Sequence, residues 1–409
     1  MYRLPWSLSD NPIAWLEPTQ QCNLACDGCY RMNVKEHKTL EEVASDLDVF
    51  SRLRTFDGVS IAGGDPLMHP ELDAIVRMVR DRGYKAVLNT NGLALDENRL
   101  RALKAAGLTG LTFHVDSKQG RPGWRDKSEK EMNALRQRYA DMVGRVGGLA
   151  CAFNSTVYED TLDQVPDVLE WADANIGTVH TVVFILYRSA KLEGFDYFAD
   201  GRRVDMSGLV YAEEDESRRT DIQAPEVVDV MRRRAPDFAP SAYLNGTEKP
   251  DSFKWLVAGR IGRPGKVYGY VGPRFMELTQ AGYHLLGGRY LSYAPDAWLR
   301  TGRSVLGAGW TFDPALRVAA RRWGRDILRD PRRALDELSF QAVLVIQPID
   351  VLPDGRANMC DGCPDMTVHD GELAWSCRLE EKRCYGQWLT AVPKGRAPKP
   401  NALPLAPAE

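Results

Sequence analysis

Three cysteines stand within eight residues, Cys22, Cys26 and Cys29. They follow a short apolar run, Ile13-Ala14-Trp15-Leu16, that reads as a strand, so they sit on the loop leaving it. The opening stretch, Met1 to Trp6, lacks the apolar core of a signal peptide. Thiolates this close in such a chain point to a metal centre rather than to disulfides. They are soft ligands, which select iron–sulfur clusters or zinc. Three of them leave one position of a four-iron cluster open, the feature that separates a reactive cluster from an electron carrier. A partial zinc site with a remote fourth ligand is the plainer alternative.

Four more cysteines lie near the other end, Cys360, Cys363, Cys377 and Cys384, after a Pro353-Asp354-Gly355 turn. They make a full set for a closed site. Zinc ribbons favour two C-x2-C knuckles, which the last pair, six residues apart, does not match. The eighth, Cys151, falls in mid-strand and reads as a buried small hydrophobe, or as a hydrogen donor if it faces an interior.

These groups need elements to carry them. A helical pattern from Thr39 to Leu53 places Leu40, Val43, Leu47 and Phe50 at steps of three and four. An apolar strand, Gly58 to Ala62, runs into Gly63-Gly64-Asp65. Helices over 70–82, 96–106, 129–146 and 162–174 then alternate with strands at 86–88, 111–116, 150–156 and 179–187. Six strand–helix units demand parallel strands with helical crossovers. They are too few to close an eight-fold barrel.

The C-x3-C-x2-C spacing after a first strand resembles the signature of the radical S-adenosylmethionine (radical SAM) family. That resemblance covers residues 13 to about 190 and implies an α/β fold, a partial (β/α)6 barrel resembling a TIM barrel. It implies that Cys22, Cys26 and Cys29 hold a [4Fe-4S] cluster whose fourth iron is chelated by S-adenosylmethionine. Gly63-Gly64-Asp65 resembles the family's Gly-Gly-Glu, with Asp one methylene shorter, and would meet the methionyl ammonium. Thr90-Asn91-Gly92 resembles the third-strand ending beside the cofactor. Asp116, and Asn154 with Ser155, are the implied contacts to ribose or carboxylate, and His114 reads as a lining histidine. The family has an aromatic just before its third cysteine; Gly28 stands there and Tyr30 follows instead, which leaves the adenine's stacking partner open. The implied reaction is one-electron cleavage of S-adenosylmethionine to methionine and a 5′-deoxyadenosyl radical, which takes hydrogen from an unactivated C–H bond. A ferredoxin or flavodoxin would supply the electron. The C-terminal cysteines are similar to the auxiliary-cluster extensions of such enzymes, implying a second [4Fe-4S] cluster, with zinc as the alternative.

By organisation the chain reads as a barrel at 1–190, an aromatic-rich irregular insertion at 191–340, a Cys-rich region at 341–391, and an extended or disordered Pro- and Ala-rich tail at 392–409. A net charge of −3 gives no case for nucleic acid. No run long enough to span a bilayer occurs. Clustered cysteines in a reducing setting indicate the cytoplasm. In the insertion, Leu316, Ala320, Trp323 and Ile327 form one helical stripe opposite Arg317, Arg321, Arg322, Arg325 and Arg329. That pattern suits an anionic membrane surface, or a solvated surface helix packed by its Trp face. With the chain's faint resemblance to radical SAM enzymes that act on lipids, a large lipid-like substrate and peripheral membrane contact are expected ahead of a peptide substrate.

Overall fold

The computed structural model describes residues 1–189, 191–209 and 219–396. Six parallel strands lie side by side in chain order: β1 (Ile13–Thr19), β2 (Gly58–Gly63), β3 (Lys85–Thr90), β4 (Leu108–His114), β5 (Ala150–Val157) and β6 (Thr181–Leu186). Between them run α1 (Leu40–Leu53), α2 (Leu72–Asp81), α3 (Glu97–Ala106), α4 (Glu129–Val146) and α5 (Val165–Ala174). This is the expected partial barrel. Its helices begin where the sequence supplies caps. Thr39 and Glu42 form a reciprocal capping box at α1, as Ser128 and Glu131 do at α4. The apolar stripe of α1, Val43, Leu47 and Phe50, is buried in the main core.

The boundary expected at residue 190 is crossed by the sheet. After α6 (Ala224–Arg234) come β7 (Ala242–Asn245), β8 (Phe253–Arg263) and β9 (Lys266–Tyr270). The later β10 (Ser339–Ile346) pairs parallel with β6 and antiparallel with β8, and β7 and β9 both pair with β8. The middle stretch thus extends the barrel sheet instead of standing apart. Its helices are α7 (Pro273–Gly287), α8 (Asp296–Leu299), α9 (Gly302–Gly309) and α10 (Pro314–Arg329). Residues 283–293 pack at the N-terminal ends of β2 and β3. There Tyr283 and Ser292 hydroxyls donate to Asp57 at 3.0 and 2.6 Å. Of the expected tail, Thr390–Pro393 forms a strand on Phe195–Ala199; residues 397–409 lie outside the described ones.

Candidate active site

The first cysteine is placed by a close approach of backbones. Gly63 (φ +105°) and Gly64 lie against the exit of β1, where a Cβ would come within 2.3 Å of the Thr19 and Gln21 carbonyls respectively. Only glycine fits. The Gly64 N–H donates to Thr19 O and the Asp65 N–H to Gln21 O, both at 2.8 Å. The Gly-Gly-Asp turn is therefore the backstop of the Cys22 loop.

Asp65 is buried, and its carboxylate already accepts from Thr90 Oγ1 (2.8 Å), Asn91 N (2.9 Å) and Leu67 N (2.9 Å). Burial pushes its pKa up against those bonds. The shorter Asp thus ties the β2 and β3 endings together. Asn91 in turn reaches the Cys22 loop: its Nδ2 donates to Asn23 Oδ1 at 2.7 Å and lies 3.7 Å from Cys22 Sγ. Burial raises the pKa of all three thiols. Arg121, buried and donating to the Asn91 and His114 carbonyls at 2.6 Å, is the cation that counters this at Cys26.

Alternation along β5 decides which polar groups face inward. Asn154 and Thr156 line the barrel interior, and Asn154 Oδ1 has no hydrogen-bond partner. Ser155, expected at the cofactor, points the other way, donating to Val115 O at 2.9 Å and accepting from Arg136 at 2.8 Å. Cys151 shares that outward face and is fully buried in the core. Asp116 is likewise corrected: it stands behind the wall, 2.9 Å from His114 Nε2, and it is His114 that lines the interior. Burial opposes ionisation of Asp116, but the His114 hydrogen bond and charge hold its pKa below the usual value.

The missing aromatic before Cys29 has a physical reason. A Cβ on Gly28 would lie 2.6 Å from the Tyr158 hydroxyl and 3.2 Å from the Tyr187 ring. Those two rings stack at 4.9 Å and fill the place. Each follows a strand directly, β5 and β6, which is the sequence signal that would have found them. Tyr30 lines the same interior with the Arg31 guanidinium 4.9 Å over its ring. Asn89, also missed, faces inward with an unpartnered Nδ2.

Residues 16–133 match the family model described as the Radical SAM superfamily, a span that includes the cysteine triplet, Gly63-Gly64-Asp65 and Asn91. Over that span the chain is similar to the radical SAM superfamily. Among curated relatives, it is 26% identical over 195 residues to an AdoMet-dependent heme synthase of Nitratidesulfovibrio vulgaris, covering 44% of this chain and 50% of that one. To a PqqA peptide cyclase of Xanthomonas axonopodis pv. citri it is 28% identical over 191 residues, covering 43% and 49%. The chain spans about half the length of these relatives. Among solved structures it is similar to Streptococcus suis SuiB bound to S-adenosylmethionine, at 14% identity and a TM-score of 0.40, over 56% of this chain and 48% of that one.

The second cysteine group faces the first across one cavity. Cys360, Cys363 and Cys377 line the same cavity as Cys22, Cys26 and Cys29. Cys384 does not join them. It sits exposed on α11 (Leu379–Tyr385), 3.5 Å from Met32 Sδ. The expected set of four is thus three here, because the helix after Cys377 turns residue 384 away. Arg54 grips the Cys363 loop, donating to Cys363 O and Pro364 O, the latter at 3.0 Å. Burial lowers its pKa to about 10, and Cys363 and Asp365 are the groups that oppose this. Asp365 points into the cavity, and burial lifts its pKa to about 7 against the pull of Arg54. Among the described residues no three His, Cys, Asp or Glu side chains converge closely enough to hold a single metal ion.

The cavity holds about 700 Å³. From the two cysteine groups it runs the length of the strands to Val257, Phe275, Trp298, Val305, Phe340 and Leu344. Its lining is mostly apolar, with polar groups both at the cysteine end and on the far walls, where His180, Gln280, Thr301 and Gln341 lie.

The residues present fit an iron–sulfur cluster with S-adenosylmethionine. Three thiols and no fourth form the triplet, and the Asn154 acceptor and Asn89 donor lie unpartnered in the same interior.

Proposed function

We propose that this chain is a radical SAM enzyme acting on an elongated, largely apolar substrate, lipid-like in character. One observation carries the reading: a single cavity joins both cysteine groups to a long apolar end. Cys22, Cys26 and Cys29 would hold the four-iron cluster, with Asn91 beside Cys22. Asn154, Asn89 and His114 would meet the polar parts of S-adenosylmethionine, while Tyr158 and Tyr187 offer aromatic faces. When bound, cluster and cofactor supply a 5′-deoxyadenosyl radical from one electron delivered by a ferredoxin or flavodoxin. The protein's own work is to orient the C–H bond and exclude water and stray hydrogen donors. The apolar walls suit both. Cys360, Cys363 and Cys377 would hold a second iron–sulfur cluster within the same cavity. Zinc is the alternative occupant of these thiols.

A peptide substrate is the second reading, favoured by the alignment with a protein named PqqA peptide cyclase. Deuterium transfer separates the two. Reconstituted protein is incubated anaerobically with S-adenosylmethionine, dithionite and either perdeuterated acyl lipids or deuterated peptides. Deuterium in 5′-deoxyadenosine from the lipids supports the first reading, and from peptides alone the second. No 5′-deoxyadenosine from any incubation, with iron fully loaded, would sink both.

A further inference from the structure

The apolar end of the cavity lies under an unusual surface. Among the described residues eleven large hydrophobic side chains are exposed, and eight fall between residues 278 and 335. Leu286 is 91% exposed, Leu328 86%, Leu285 85% and Leu335 79%. A water-facing protein rarely leaves so much apolar surface in one region without a partner for it.

Contacts join the elements that carry these residues. The Tyr283 ring on α7 meets Trp298 on α8 edge-on at 6.3 Å. Arg300 pairs with Glu337 at 2.7 Å, and Arg303 on α9 donates to Ala334 O at 3.2 Å. Trp323 on α10 donates to Arg333 O at 3.3 Å. The end of α7, the helices α8 to α10 and the turn at 331–335 thus form one connected layer.

The unpaired charge of that layer is mostly positive. Most of its acids are paired or capping: Asp296 with Arg300, Asp326 with Lys266, Asp330 with Arg333, Asp336 with Arg263, and Asp313 as the cap of α10; Glu277 on α7 is exposed without an ion pair among the described residues. Among the described residues Arg303, Arg321, Arg325, Arg329 and Arg332 have no ion-pair partner. Exposed leucines and tryptophans among unpaired arginines make the pattern of a surface that lies on an anionic bilayer. A protein partner would need to supply both apolar area and several acids, whereas an anionic membrane supplies both everywhere. Trp298 connects this layer to the chemistry: it lines the cavity and is also 52% exposed. Leu299, Thr301 and Val305, next to it in sequence, line the cavity as well.

We propose that the layer from α7 to residue 335 docks on an anionic lipid surface, and that the cavity admits its substrate from the bilayer at Trp298. This deepens the apolar-substrate reading and rests on it. The probe is flotation of the full-length, iron-loaded chain with vesicles of phosphatidylcholine alone or with added phosphatidylglycerol. Wild type should float with the anionic vesicles, weakly with the neutral ones, and less as salt rises. The double variant Leu285→Ser/Leu286→Ser and the triple variant Arg325→Gln/Arg329→Gln/Arg332→Gln should each keep wild-type iron content and circular dichroism. The triple variant should partition about a hundredfold more weakly. No flotation of wild type, or equal flotation of all three proteins, overturns the proposal. So does a wild-type dimer that the leucine variant dissolves, because a second copy would then cover the patch. Formation of 5′-deoxyadenosine under dithionite without vesicles is read in parallel. Cleavage without flotation rejects the docking surface alone, and flotation without cleavage rejects the enzymatic reading alone.

Discussion

Arg31, two residues after Cys29, donates to the hydroxyl of Ser376, the residue before Cys377, at 2.8 Å. Ser376 passes its own hydrogen to Glu17 Oε1 at 3.0 Å, and Arg31 Nε closes the triangle on Glu17 Oε2 at 2.9 Å. All three side chains are buried. The loops carrying the two cysteine groups are thereby one structure. Removing one partner of a buried ion pair leaves the other charge uncompensated, at a cost of about 3–5 kcal/mol. Arg31→Gln should lower the urea midpoint accordingly and reduce iron at both cysteine groups. Loss of iron from the first group alone would show that the loops are independent.

The same triangle sets an acid limit on stability. Burial opposes ionisation of Glu17, but the charge and hydrogen bonds of Arg31 outweigh it and hold the folded pKa below the ordinary carboxylate value of 4.5. The stabilisation is therefore full above that value and is lost as pH falls through the lower, folded one. Urea midpoints from pH 6 down to about 3 should fall more steeply in wild type than in Glu17→Gln. Parallel curves would remove Glu17 from the account.

Cys384 faces Met32 on the surface and not the other thiols. Cys384→Ser should retain wild-type iron after anaerobic reconstitution. Cys360→Ser, Cys363→Ser or Cys377→Ser should each lose the iron of the second group, about half the total if both clusters hold four. Loss of that iron in Cys384→Ser would restore it as the fourth ligand.

Gly28 is needed because Tyr158 and Tyr187 occupy the adjoining space. Gly28→Ala should therefore cost about 1–3 kcal/mol by overpacking. Adding Tyr158→Phe, which removes the nearest atom, should recover part of that. A double-mutant cycle on thermal stability measures the coupling; additive effects would mean that the two sites do not touch.

Asn154 Oδ1 has no partner inside the barrel. Removing an unsatisfied acceptor costs the fold little, while a hydrogen bond to a bound ligand is worth about 1–3 kcal/mol. Asn154→Ala should leave the unfolding midpoint near wild type and weaken S-adenosylmethionine binding by that amount in anaerobic calorimetry. Unchanged affinity would move the cofactor's polar contacts elsewhere, with Asn89 next.

Local signals in the sequence determined the partial barrel and the loop that carries the first three cysteines. The six strands and their crossover helices followed from apolar periodicity and caps such as Thr39 with Glu42. The triplet Cys22, Cys26 and Cys29 lies within eight residues, so its candidacy as a metal centre was legible without a fold. What the sequence left open depends on direction and on long-range contact. Whether Asn154 or Ser155 faces the interior is a matter of strand parity, which sheet closure sets. Whether Cys384 joins Cys377 depends on the turn of a short helix. The Tyr158–Tyr187 pair reaches Gly28 only because strands far apart in sequence end at the same rim. The joining of both cysteine groups to one apolar cavity was likewise decided by tertiary structure. It required β10, more than 150 residues after β6, to pair beside it and bring the C-terminal thiols over the barrel's open end.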